Sequence, residues 1–349
     1  MIYNHVQNLQ MMYIKFEPED VHESAKHMGG EPDKVIMEYK NMKKALIFGI
    51  IGSFFFAFTF VLNRSMHLSG GSWIWSASLR YLFTFPILAL IVGKQHGFWQ
   101  VHKVIRKNLF NWLTWSTVGF GLFYAPMSYA AGYGESWLIA ASWQVTIVMG
   151  ILLSPVFHKR IPIKNLCISG FILIGVFLLQ VHNIADLDIK ITLMTLLPIL
   201  AGAVSYPLGN RKIMEASGDQ LSTIQRTYGM TLCSLPFWFI LSVFGLVNAG
   251  VPSVSQTVQS LCVAVFSGVI ATLLFFKATD LVKSNHKQLA VIESTQSGEV
   301  IFTLLGGIWL LGDSRPDDLG IIGISFIVFG MILNSMIVSF SKKPEIINP

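Results

Sequence analysis

The chain has 349 residues, of which 53% are hydrophobic and only 13% charged, with a formal net charge of +6. Soluble domains carry roughly 25% charged residues, and here the apolar residues come in long blocks without amphipathic alternation, so a soluble enzyme or soluble binding module is excluded. The basicity is not a nucleic-acid footprint either, because no loop gathers a basic patch with interleaved aromatics.

Residues 1–42 hold 4 basic and 7 acidic residues together with Gly29, Gly30 and Pro32. That composition predicts a polar tail, disordered or not native to the translated protein, with Met42 a natural start. No cleavable signal peptide is expected, since the first apolar run begins only at Ala45 and lacks a small-residue cleavage pattern. Ten apolar stretches follow, near 45–62, 73–92, 111–131, 137–156, 163–181, 192–210, 227–247, 258–278, 289–312 and 319–340. Each approaches the roughly 20 residues that carry a helix across the hydrocarbon core. The expected fold is an all-α membrane protein of ten transmembrane helices.

Charge orients it. One set of connections carries Lys40, Lys43 and Lys44, then Lys94, Lys103, Arg106 and Lys107, then Lys159, Arg160 and Lys164. It continues with Arg211, Lys212 and Arg226, then Lys283 and Lys287, and ends with Lys342 and Lys343. The opposite set carries only Arg64, Lys190 and Arg315, so seventeen basic residues stand against three. The positive-inside rule then places both termini in the cytoplasm, after an even number of crossings.

Internal repetition accompanies the topology. Asn63-Arg64 is matched by Asn210-Arg211 and Gly121 by Gly268, both at an offset of 147; Arg80 with Pro86 is matched by Arg226 with Pro236, the arginines at 146. Further on the offset becomes 155, pairing Gln144 with Glu299, Arg160 with Arg315, and Gly175 with Gly330. Five spans per copy make the second copy start on the outside, so two inverted five-helix repeats are expected, at 43–182 and 183–341, with a cytoplasmic C-terminal tail at 342–349.

The stretches FTFVLNRSMHLSGGSWIWSASLRY, WSTVGFGLFYAP, YPLGNRKIM, GMTLCSLPFW, SGVIATLLFF and IESTQSGEVIF carry a family resemblance. Over about residues 42–340 the chain resembles the multidrug resistance efflux transporter branch of the drug/metabolite transporter superfamily. The resemblance implies ten helices in two inverted repeats and a secondary transporter for small organic molecules, with efflux of drugs as the family label. The small four-helix exporters of that superfamily use a glutamate in their first helix. This first span has no acid from Ala45 to Phe60, so a proton-coupling role must lie elsewhere.

Ionisable groups inside a bilayer are costly and point to function. Glu293 and Glu299 lie in the ninth span, with Gln296 three residues from each and Thr303 four beyond Glu299, on one broad side of a helix. A carboxylate there suits a proton or a cationic substrate; the competing readings are a solvated Glu293 near the cytoplasmic end and a Glu299 that hydrogen-bonds a partner helix. Arg80 can meet an anionic substrate, pair with Glu299, or snorkel to the outer interface. Gln144, in the place of Glu299 in the first repeat, offers both donor and acceptor. Trp143 and Tyr124 are the aromatic candidates for stacking on a substrate, against a packing role. Gly119, Gly121 and Pro126 are expected to interrupt the third span, and Pro198, Gly202, Pro207 and Gly209 the sixth, so both are expected to border a pathway.

Cys167, Cys233 and Cys262 lie within spans and lack metal-ligand spacing, so neither a metal site nor a disulfide frame is expected. No nucleotide loop, zinc-protease or nucleophile-elbow motif is present and no cofactor is expected, so uphill movement must draw on an ion gradient, protons included, or on exchange. The expected partners are a small-molecule substrate and the lipid bilayer, in the cell membrane. A metabolite or amino-acid exporter competes with a drug exporter, and a membrane-embedded sensor or enzyme is the alternative of another class.

Overall fold

The computed structural model describes residues 32–158, 160–185, 189–282 and 285–341. Residues 1–31 of the expected N-terminal tail, the tail 342–349, and Lys159 and Lys283 lie outside the described residues. Within them all regular secondary structure is helical, with no β-strand. Six helices are long and apolar enough to cross a membrane, namely Lys40–Leu68, Trp73–Lys94, Lys190–Gln220, Thr223–Ala249, Val254–Val282 and Asp318–Met336. Two shorter apolar stretches, Ser136–Leu152 and Ile163–Leu179, accompany them. The outer surface requires lipid: Val247 is 80% and Trp309 77% exposed, alongside Ile240, Phe177 and Leu310. Water would not tolerate so much contiguous apolar surface, whereas hydrocarbon covers it at no cost.

Helix α1 runs from Pro32 to Leu68. The chain is therefore helical before the first apolar span begins, and the helix takes in Pro32–Met42 of the expected tail. Met42 and Ala45 are buried against Val282 and Ile292. Helix α2, Trp73–Lys94, starts where Ser72 Oγ accepts the Ile74 amide. Helix α3, Phe98–Lys107, buries Val101, Val104 and Ile105 and leaves Lys103, Arg106 and Lys107 to the end of the bundle. Its one-sided pattern suits a membrane interface.

Helices α4, Leu109–Ser116, and α5, Leu122–Ala130, are joined by a π-helical stretch over Thr117–Gly121. Next come α6, Ser136–Trp143, and α7, Val145–Leu152, which meet at Gln144. Helix α8 spans Ile163–Ala185, so the expected boundary between repeats at 182 falls inside it. Helix α9 spans Ile189–Ser217 and α10 Thr223–Ala249, the latter opened by a capping box in which Ser222 and Gln225 satisfy each other's backbone amides. Helices α11, Val254–Val263, and α12, Thr272–Val282, are joined by a second π stretch over Ala264–Ala271. Helix α13, His286–Ser294, a 3-10 turn over Thr295–Ser297, α14, Gly298–Gly306, and a third π stretch over Gly307–Leu311 follow. Helix α15, Asp318–Ser341, completes the described chain.

The breaks differ from the sequence reading in two places. Pro198 and Pro207 do not interrupt the sixth span; both sit inside the continuous α9. In a bilayer a proline costs one backbone bond without offering water as a rival partner, so the helix carries on. The spans near 137–156 and 289–312 are segmented instead, at Gln144 and at Thr295–Ser297.

Small residues bring the elements together. Helices α8 and α15 cross where a Cβ on Gly175 would stand 2.5 Å from the Gly323 carbonyl oxygen. Helix α9 meets the first π stretch where Gly209 lies against the Gly119 backbone. Such contacts are the general basis of helix association in lipid, where no hydrophobic force drives it.

Candidate functional site

A cavity of about 340 Å³ lies within the bundle. Thr59 of α1, Arg80 of α2, Gln144 at the α6–α7 junction, Tyr206 of α9, Ser267 of the second π stretch and Glu299 of α14 all line it. It reaches the end of the bundle where Asn210, Met214, Thr223 and Arg226 stand, on the last turns of α9 and the first of α10.

Arg80 is its most organised group. Nη1 donates to Thr59 Oγ1 at 3.3 Å and Nη2 to Ser267 Oγ at 3.2 Å, while these two hydroxyls bond each other at 2.5 Å. The guanidinium carbon lies 4.1 Å from the centre of the Tyr124 ring, a cation–π contact. Tyr124 is itself fixed by the Asn63 amide, whose Nδ2 donates to its hydroxyl at 3.0 Å. Tyr81 beside it stacks on Trp238 of α10 at 4.4 Å, with the rings nearly parallel. Arg80 therefore faces inward, held by neutral partners, and neither snorkels nor forms a direct ion pair. Among the described residues no carboxylate lies within 4.0 Å of it.

Glu299 stands in the first turn of α14 and is half-buried. It interacts with the Gln144 side chain and is near enough to Arg80 for their charges to be felt. Gln144 is buried, and its Nε2 also donates to the Ala140 carbonyl at 3.1 Å. The break in the helix at Gln144 and the 3-10 turn before Gly298 bring the two residues to the same cavity. Short tight or wide turns inside helices frequently mark such places.

Trp143 forms one wall with Phe123 and Tyr206, at ring-centre distances of 4.9 Å from Phe123 to Trp143 and 4.8 Å from Phe123 to Tyr206. The structure thus brings Glu299, Gln296, Arg80, Gln144 and Trp143 to one cavity, with Tyr124 directly behind Arg80. Glu293 is exposed and does not line it. Sequence reasoning missed Thr59, Ser267 and Tyr206. The two hydroxyl residues sit in apolar spans, where such residues usually bond their own helix, and only the Tyr206-Pro207 pair carried a local signal.

Opposite the end reached by Arg226, the helices are tied to one another. Asp313 Oδ2 accepts from the Ser136 amide at 2.8 Å and from Ser136 Oγ at 2.6 Å, and Trp137 Nε1 donates to the Ser314 carbonyl at 3.0 Å. Gln256 Nε2 donates to Ser76 Oγ at 3.0 Å, joining α11 to α2. None of these residues lines the cavity.

A multi-pass helical membrane protein with an internal cavity of mixed polar and aromatic lining, reaching one end and tied at the other, has the layout of a small-molecule transporter. The family model described as "EmrE: Putative multidrug resistance efflux transporter" matches residues 43–340, and the chain belongs to that family. It is 49% identical over 315 residues to "Uncharacterized protein YjlA" of Bacillus subtilis (strain 168), covering 86% of this chain and 97% of that protein. It is 44% identical over 266 residues to "Uncharacterized 42.1 kDa protein in intracellular alkaline protease 3'region" of Shouchella clausii, covering 73% of this chain and 70% of that one. A solved structure described as "Crystal structure of protein" superposes with a TM-score of 0.56 at 11% identity, over 85% of this chain and 98% of its own, a likeness of fold alone.

Proposed function

We propose that the chain is a secondary active transporter in the cell membrane that exports small organic molecules, driven by a proton gradient or by exchange. Its ten crossings form two inverted five-helix repeats, 43–182 and 183–341, with both termini cytoplasmic. The observation that carries the reading is the cavity itself, a concave site of small-molecule size lined from both halves, with Gln144 of one and Glu299 of the other in reach of each other. The repeat reading draws support from the π stretches, which begin at Thr117 and Ala264, 147 residues apart, the same offset that pairs Gly121 with Gly268.

Glu299 is the coupling group in this reading. A carboxylate that alternates between a proton and a substrate in one cavity couples the two flows, because occupation by one excludes the other. Gln296, Gln144, Arg80 and Trp143 position the substrate around it; Glu293 takes no part in the cavity. Export of a metabolite fits this site as well as export of a drug. Reconstitution into proteoliposomes tests the proposal: accumulation of a small organic solute on imposing a pH gradient, or its counterflow against preloaded solute, is the expected result. Saturable binding without movement of any solute would instead favour a membrane-embedded sensor or enzyme.

A further inference from the structure

The cavity holds one fixed cation and one carboxylate that are not joined to each other. The Arg80 guanidinium has five N–H donors; its bonds to Thr59 and Ser267 and its contact with Tyr124 do not exhaust them. Thr59 and Ser267 are neutral, so they orient the guanidinium without cancelling its charge. Glu299 has the neutral Gln144 as its neighbour and shares the cavity. A fixed cation and a carboxyl group with no protein counter-ion in contact, within a space of about 340 Å³, suit a ligand that answers both.

Charge decides which ligand class fits. A lipophilic cation at Glu299 would be held beside the Arg80 charge, in a medium where like charges repel far more strongly than in water. A simple organic anion on Arg80 would meet the same penalty from Glu299 when that carboxyl is ionised, and would leave it without a partner when it is not. A molecule carrying both a carboxylate and an ammonium group meets neither, and each of its charged groups gains a charge-assisted bond, the carboxylate with a geometry that a guanidinium matches through two parallel bonds. The wall of Trp143, Phe123 and Tyr206 offers aromatic faces to an apolar or aromatic body.

Resting on the transport reading of this cavity, we propose that its substrate class is amphoteric: a small amino acid-like molecule whose carboxylate seats on Arg80, oriented by Thr59 and Ser267, and whose ammonium faces Glu299 and Gln144. Titration calorimetry on the purified full chain in nanodiscs tests it with phenylalanine, leucine, phenethylamine, 3-phenylpropionate and tetraphenylphosphonium as probes. Phenylalanine or leucine should bind about tenfold or more tighter than either single-charge analogue. Arg80→Lys should weaken phenylalanine and 3-phenylpropionate but spare phenethylamine, and Glu299→Gln should weaken phenylalanine and phenethylamine but spare 3-phenylpropionate. Tighter binding of tetraphenylphosphonium or phenethylamine than of either amino acid overturns the assignment, as does the absence of binding by both amino acids. If a variant fails to fold, the wild-type ranking decides alone. Counterflow separates the two readings: amino-acid binding without counterflow sinks transport and keeps the site, whereas counterflow of tetraphenylphosphonium alone keeps transport and sinks the amphoteric class.

Discussion

Arg64 Nε stands 3.7 Å from the Asp313 carboxylate, an ion pair without a hydrogen bond between the end of α1 and the turn that follows the third π stretch. The aspartate side chain is almost wholly buried and caps α6 through Ser136, while Arg64 Nη1 donates to the Ala131 carbonyl at 3.4 Å. Arg64 and Ser136 thus meet on the Asp313 carboxylate, and Arg64 links it onward to Ala131, beyond the end of the cavity that lacks Arg226. Arg211, the residue aligned with Arg64 at the other end, donates to the Gly150 carbonyl at 2.6 Å, and among the described residues no acid pairs with it. The two ends thus differ, with an ion pair at one and a carbonyl contact at the other.

Neutralising that latch should open the cavity from the outside. With Cys167, Cys233 and Cys262, all free thiols, replaced and Thr146→Cys introduced in the cavity lining, an impermeant thiol reagent should leave intact cells unlabelled. Adding Asp313→Asn or Arg64→Gln should expose the thiol, and Asp313→Asn should also cost about 1–3 kcal/mol of stability through the weakened cap on Ser136. Equal protection from outside in all three proteins would remove the latch from the transport cycle.

The orientation has its own measurement. Val251 lies in the connection between α10 and α11 and is 81% exposed, and Asp219 is exposed between α9 and α10. Cysteine at position 251 should react with the impermeant reagent in intact cells, and cysteine at 219 only after the membrane is made permeable. The reverse pattern would turn the protein over, moving Arg226 and the reachable end of the cavity to the outside.

Close helix contacts predict where side chains cannot be added. A Cβ on Gly209 would collide with the Gly119 backbone and stand 2.6 Å from the Trp115 carbonyl oxygen, whereas one on Gly170 would meet nothing within 4 Å. Gly209→Ala should therefore destabilise by about 1–3 kcal/mol, lowering the midpoint of thermal unfolding by several degrees. Gly170→Ala, in the body of α8, should be neutral or stabilising by about 0.5–1 kcal/mol. Similar midpoints for the two variants would mean that α9 and the first π stretch are less closely packed than their backbones require.

How much of this was legible in the chain depended on cost. A charge or a glutamine in an apolar span is expensive, so Arg80, Glu299 and Gln144 stood out before any fold was known, and all three line the cavity. Thr59 and Ser267 cost little, because a hydroxyl satisfies itself on its own helix, and nothing marked them as the pair that orients Arg80. Asp313 sits at the end of a span, where an acid reads as solvated, and only the fold reveals that Ser136 and Arg64 enclose it. The helix breaks were partly hidden for the same reason. Gly119 and Gly121 flagged the first π stretch, while the prolines of α9 pointed to an interruption that lipid does not enforce.

Glu299→Gln is the substitution that tests coupling most directly. Glutamine keeps the size of the side chain and a hydrogen-bonding partner for Gln144, so the half-buried position in the first turn of α14 should still pack and the protein should reach the membrane in normal amounts. What disappears is the ability to trade a proton for a substrate. In proteoliposomes with an imposed pH gradient, accumulation should fall to the level of empty vesicles, a loss of about two orders of magnitude or more if this is the only proton-carrying step. Counterflow of a solute held by Arg80 and the aromatic wall should persist at reduced affinity, because the cavity still alternates. Glu293→Gln, outside the cavity, serves as the control and should leave both activities near wild type. A Glu299→Gln protein that accumulates solute against its gradient as well as wild type would move the coupling step away from this carboxylate.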